Sequence, residues 1–165
     1  MDSSLNKPDQ IVETHSFVNN NLDLFENILN SLESVSAEAK SFLKEKVSLE
    51  GKVSNQLLEK HQHEGHGYAW FETYRIALRE TLNWFKTLKK LDKSTKLESG
   101  ILIFSFAEYL CQMRSGIMMS QTEVIRPENL GISNQSFSFC DSPDVAKLVK
   151  LGLSETVKLE IVESL

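Results

Sequence analysis

Between Pro8 and Pro127 the chain runs about 118 residues with no proline and few glycines. Inside a helix proline removes a hydrogen bond and clashes with the preceding turn, at ~3 kcal/mol, so its absence over such a span favours long helices. The apolar and β-branched residues in this interval do not alternate with polar ones, as strands require. A chain of 165 residues, 41% of them hydrophobic, buries enough surface for a self-sufficient core. These features predict an all-α fold: an antiparallel up-and-down bundle of about four long helices plus a short C-terminal helical hairpin. The expected organisation is a single domain over 1–165, with a core at 8–118, a strap at 116–141 and C-terminal helices at 142–165.

The periodicity places the helices. Ile11, His15, Val18, Leu22, Phe25, Leu29 and Leu32 step alternately by four and three, which predicts a first helix from Pro8 to Leu32. A second is expected from Ser36, with Phe42, Leu49, Val53 and Leu57 inside, ending near the glycines of "HEGHG". A third covers 66–91, its seam formed by Trp70, Tyr74, Ala77, Thr81, Trp84, Leu88 and Leu91. Thr95 and Glu98 form a capping box for a fourth, "LESGILIFSFAEYLCQM", apolar nearly all round and therefore central. Asp141 or Ser142 caps a helix that Gly152 stops, and Ser154 caps a last one holding Val157, Ile161 and Leu165.

Charge and cysteine usage narrow the class. A net charge of −5 opposes general attraction to nucleic acid or anionic lipid. The charge-free stretch of the fourth helix ends at Glu108, short of the ~20 residues a bilayer requires, so no membrane span is expected. The polar N-terminus shows no secretory pattern, and Cys111 and Cys140 stand apart, which points to the cytoplasm.

Chemistry-bearing residues fall in four groups. His61, His63 and His66 form an HxHxxH cluster that reads either as a helix junction or as a metal site completed by Glu64 or Glu108; zinc needs three or four convergent ligands. Glu108, in an apolar helix, is either a general base or the partner of Arg75, Arg79 or a tyrosine. Arg75, Arg79, Lys86 and Lys90 make a basic stripe, either a solvated face or a dock for an acidic or phosphate-bearing partner. In the strap, Ser120 and Glu123 form a capping-box pattern, Arg126 is placed to clamp a carbonyl or carboxylate, and Met118, Met119, Val124, Ile125 and Leu130 suit packing. His15, alone on an apolar seam, reads as a hydrogen-bonded core histidine. No glycine-rich phosphate loop, GxSxG elbow or dinucleotide fingerprint occurs.

Two blocks go further. "HGYAWFETYRIALRETLNWF" (66–85) and "FAEYLCQMRSGIMMSQTEVIRPENLG" (106–131) resemble the helical N-terminal extension of some bacterial acyl-CoA dehydrogenases, the methylsuccinyl-CoA dehydrogenase-like proteins. The resemblance is carried by His66-Gly67, Ala69-Trp70, Thr73-Tyr74, Ala77-Leu78-Arg79 and Trp84. The second block adds Glu108-Tyr109-Leu110, Gln112, Gly116-Ile117, Met119-Ser120-Gln121, Glu123, Arg126-Pro127 and Leu130-Gly131. In that family FAD and a glutamate base belong to a core following the extension, so the resemblance implies no cofactor and no catalytic residue here. It implies a non-catalytic accessory domain that docks a dehydrogenase subunit or another copy of itself. His66, Arg75, Arg79, Glu108, Gln112, Ser120, Gln121, Glu123 and Arg126 are the candidate polar and interface positions. Two alternatives stand beside it: an acyl-CoA binding module, and a helical metal-dependent enzyme using the 61–66 histidines.

Overall fold

The computed structural model describes residues 14–165. Among these, three long helices carry the architecture: α2 (Leu22–Val47), α4 (Gln62–Lys90) and α5 (Lys96–Ser115). Shorter elements join them: α1 (Thr14–Asn20), α3 (Asn55–Lys60), and the C-terminal pair α6 (Pro143–Gly152) and α7 (Glu155–Glu163). Two two-residue-strand hairpins, β1–β2 (Ser48–Leu49, Lys52–Val53) and β3–β4 (Ile117–Met118, Val124–Ile125), are the described strand pairs. The fold is all-α, as expected, with a C-terminal helical hairpin.

The helix boundaries differ from the periodicity-based ones in instructive ways. The expected first helix breaks at Asn21, whose side-chain amide bonds the Phe17 carbonyl at 2.7 Å and so competes with the helical ladder. Pro8 and Ile11 lie outside the described residues. No break separates Leu32 from Ser36; α2 runs straight through, and Ser36, expected as a helix start, is buried and donates to Glu72 of α4. The chain instead leaves α2 at Ser48, because Glu50 and Gly51 both take positive φ (51° and 78°) and close a two-residue hairpin. Leu49 and Val53, assigned to an inner face, therefore stand 65% and 63% exposed. The histidines and glycines of "HEGHG" open α4 rather than interrupt the chain.

The inner face of α4 is also rotated from the predicted seam. Gly67, Phe71, Leu78, Leu82 and Phe85 are buried, while Trp84 and Leu91 are exposed. Two apolar stripes lie about one residue apart on this helix. The purely hydrocarbon one enters the core, and the one carrying Trp and Tyr polar tips takes the flank.

The long helices are antiparallel: Glu26 and Ser36 of α2 meet Arg79 and Glu72 of α4, and Tyr74 of α4 meets Gln112 of α5. α5 is central, packed by α1, α4, α6 and α7. Phe25 and Phe106 lock α2 to α5 edge-to-face, with ring centroids 4.9 Å apart. The predicted caps are present: Glu98 Oε2 accepts from the Thr95 N–H at 2.7 Å, and Ser142 and Ser154 cap α6 and α7. No described helix is long and apolar enough to cross a membrane.

Candidate functional site

The strap after α5 is built in two halves. Its apolar half holds it down: Ile117, Ile125, Pro127, Leu130 and Ile132 are buried. β3 and β4 pair in register, Ile117 with Ile125 and Met118 with Val124. Ser120 Oγ accepts from the Glu123 N–H at 3.2 Å, so the expected capping pattern closes a hairpin turn rather than starting a helix. The Arg126 N–H donates to Asn129 Oδ1 at 2.9 Å, shaping the 3-10 turn of Pro127–Leu130. Met118, Ser120, Gln121, Glu123 and Arg126 face outward, with Met118 66% exposed. The Arg126 guanidinium makes no ion pair among the described residues.

Gly67 is where the two family-like blocks meet. A Cβ there would lie 2.3 Å from Ile125 Cγ1, so the strap seats on the first turns of α4 only because residue 67 has no side chain. Gly131 does the same at the strap's far end: its φ is +68°, and Phe42 of α2 covers it.

Beside the strap runs a half-buried file of aromatic and polar groups. Tyr74 and Tyr109 stack with centroids 4.3 Å apart. The Tyr74 hydroxyl donates to Gln112 Oε1 at 2.9 Å, and the Gln112 amide donates to Glu108 Oε1 at 2.9 Å. Burial pushes the Tyr74 hydroxyl up from its ordinary pKa, with Tyr109 and Glu108 adding to the shift. Glu108 thus reaches a tyrosine through Gln112 and does not pair with Arg75 or Arg79. Trp70 Nε1 donates to His66 Nε2 at 3.1 Å, continuing the file toward the strap.

The basic stripe is mostly spent on holding α2 to α4. Arg75 forks onto both oxygens of Glu72 at 3.0 and 2.9 Å. Burial pulls the Glu72 carboxyl upward, but Arg75 and the Ser36 hydroxyl outweigh it and hold it below the usual carboxylate range. Arg79 and Lys86 converge on Glu26, which Lys86 most strongly holds low. Arg79 also lies 3.8 Å from Glu33. Sequence reasoning missed the acidic partners Glu26, Glu33 and Glu72, of which Glu33 is exposed while Glu26 and Glu72 are half-buried where α2 meets α4.

The histidines do not converge. His61 Nδ1 pairs with Glu64 Oε1 at 3.2 Å, and His66 is engaged by Trp70. His63, His66, Gln62 and Glu123 line an open recess of about 490 Å³ between α4 and the strap. Among the described residues no three histidine, cysteine, aspartate or glutamate side chains are grouped as a metal site requires. His15, by contrast, sits with Nδ1 2.8 Å from Ser99 Oγ and Nε2 3.1 Å from Asn19 Nδ2.

No protein-family model matches the chain. It is 40% identical over 111 residues to (2S)-methylsuccinyl-CoA dehydrogenase of Cereibacter sphaeroides, a match taking in 67% of this chain and 20% of that protein. The chain therefore spans about a fifth of the curated relative it matches. Along two thirds of its length, this helical chain is related to an acyl-CoA dehydrogenase-like protein, as the blocks at 66–85 and 106–131 imply.

Proposed function

We propose that the chain is a non-catalytic helical domain of an acyl-CoA dehydrogenase-like assembly, and that the outer half of its strap docks the flavin-dependent core. The observation that carries this reading is the division of labour within 116–133. Buried apolar residues anchor the hairpin, while the side chains of Met118, Ser120, Gln121, Glu123 and Arg126 stand outside it, that of Ser120 bonding the turn's backbone. An exposed methionine on a pinned hairpin, flanked by an uncommitted arginine, suits a protein partner better than water. His66 and Trp70, on the adjoining turns of α4, extend the same surface.

Arg75 and Arg79, the side chains best suited to a pyrophosphate, are engaged by Glu72, Glu26 and Glu33. The same engagement weighs against Arg75 and Arg79 as an acyl-CoA phosphate site, whereas the Arg126 guanidinium makes no ion pair among the described residues. No flavin step is assigned to this chain.

Analytical ultracentrifugation of the chain mixed with a flavin-bound acyl-CoA dehydrogenase core tests the reading. A discrete complex is expected, weakened by a paired Met118→Asp, Arg126→Glu variant. Sedimentation of the two proteins as separate species, or a complex indifferent to the paired variant, overturns it.

A further inference from the structure

A second recess lies on different elements and has no part in the docking reading. Between α5, the 3-10 helix at Asn134–Asp141 and α6 is a cavity of about 430 Å³, within the range of small-molecule sites. Its origin is a pinch. Gly152 lets α6 press onto α5 so closely that a Cβ would come within 2.7 Å of both Ala107 Cβ and the Ile103 carbonyl oxygen. Away from that pinch, Ala146, Val149 and Lys150 of α6 line the recess.

The chemistry of this space is two-ended. Its wall is Leu110, Cys111, Cys140 and Val149. Burial pushes the Cys140 thiol up to about 11 and raises Cys111 as well, so both sulfurs stay uncharged and behave as apolar lining. At the rim, Arg114 donates to Asp141 at 2.7 Å, and Lys150 makes no ion pair among the described residues. Two cations thus face one carboxylate, a local positive excess on a chain whose net charge is −5. An apolar pocket with a cationic rim matches a ligand with a hydrocarbon body and one negative head.

We propose that the α5–α6 cavity binds a small amphipathic carboxylate, its hydrocarbon portion against Leu110, Cys140 and Val149 and its head beside Lys150 and Arg114. The site requires no dehydrogenase partner, so its test is independent of docking.

The probe is decanoate, titrated calorimetrically into the full chain, with decyltrimethylammonium as the charge-reversed control. Saturable one-site binding is expected. The cationic analogue and Lys150→Glu should each weaken it by up to about fivefold, the scale of one exposed ion pair. Val149→Trp fills the cavity and should abolish binding. Since that variant touches the core, N-ethylmaleimide labelling of unmodified protein gives a separate readout: decanoate should slow modification of Cys140. No saturable heat at about 1 mM decanoate overturns the proposal. So does equal affinity for the cation, or Cys140 labelling that decanoate leaves unchanged.

Discussion

Ile125 fills the space that a side chain at Gly67 would occupy, with its Cγ1 2.3 Å from where a Cβ would stand. That single vacancy joins the strap to the start of α4. Gly67→Ala gains helix propensity of up to ~1 kcal/mol but must displace a buried isoleucine, an overpacking cost of about 1–3 kcal/mol. Net destabilisation is expected in urea denaturation. Adding Ile125→Ala should recover part of it, giving a non-additive cycle. Additive effects of the two substitutions would show that the contact does not govern the seating.

Gly51 and Gly131 both adopt left-handed backbone, yet their surroundings differ. A Cβ at Gly51 meets nothing within 4 Å, whereas one at Gly131 comes within 2.3 Å of Phe42. Gly51→Ala should therefore cost only the conformational strain, about 1–2 kcal/mol. Gly131→Ala adds a clash and should cost clearly more. Equal losses in thermal or urea unfolding would contradict the packing at Phe42.

Acid should weaken the join between α2 and α4. Glu26 and Glu72 are both held below the ordinary glutamate value of about 4.3. A carboxyl depressed in the folded state adds stability that is fully present above its unfolded pKa. That stability is lost as pH falls through the folded one. The loss should begin below about pH 5 and be smaller in Glu72→Gln than in the unmodified protein. Glu26 and its partners are about a third exposed, so Glu26→Ala should cost no more than about 1 kcal/mol at neutral pH. Urea titrations between neutrality and pH 3 measure both effects, and a stability that stays flat across that range would refute the assignment.

Thiol labelling reads the interior directly. With its pKa at about 11, Cys140 carries far less thiolate at pH 8 than an unfolded cysteine near 8.5, a difference on the order of a hundredfold. Iodoacetamide modification followed by mass spectrometry should show Cys140 reacting slowly in native protein and readily in urea. Equal rates in both conditions would mean that the thiol is not buried as described.

The helical architecture was legible because it rests on local chemistry. The four-three stepping from Val18 to Leu32 lies on a buried face, and Thr95 with Glu98 caps α5 as its spacing predicts. What eluded the sequence was decided between elements. The Glu50–Gly51 turn lacks the asparagine or aspartate that usually announces a two-residue hairpin, so the periodicity alone carries a helix past it to Leu57. On α4, two stripes of similar apolarity compete, and only the neighbouring helices choose Phe71 and Leu78 over Trp70 and Trp84. Candidate site residues fared according to their partners' distance. Glu108 stands out as a carboxylate in an apolar helix and Gln112 by resemblance, but the Tyr74–Gln112 bond that joins them to a tyrosine spans 38 positions and leaves no trace in spacing. Arg79 and Glu26 are 53 positions apart, which is why the stripe reads as free cations until the helices are packed.

The ring of neighbours around α5 has a consequence during synthesis. Leu102, Ile103, Phe106, Ala107 and Leu110 turn buried faces toward several helices, and α6 and α7 are the last of these to leave the ribosome. Until residue 163 is translated, a nascent molecule displays an oily rod with part of its sheath missing. Chaperones that recognise bare hydrocarbon would find their binding stretch there, and early translational arrest would leave an insoluble product.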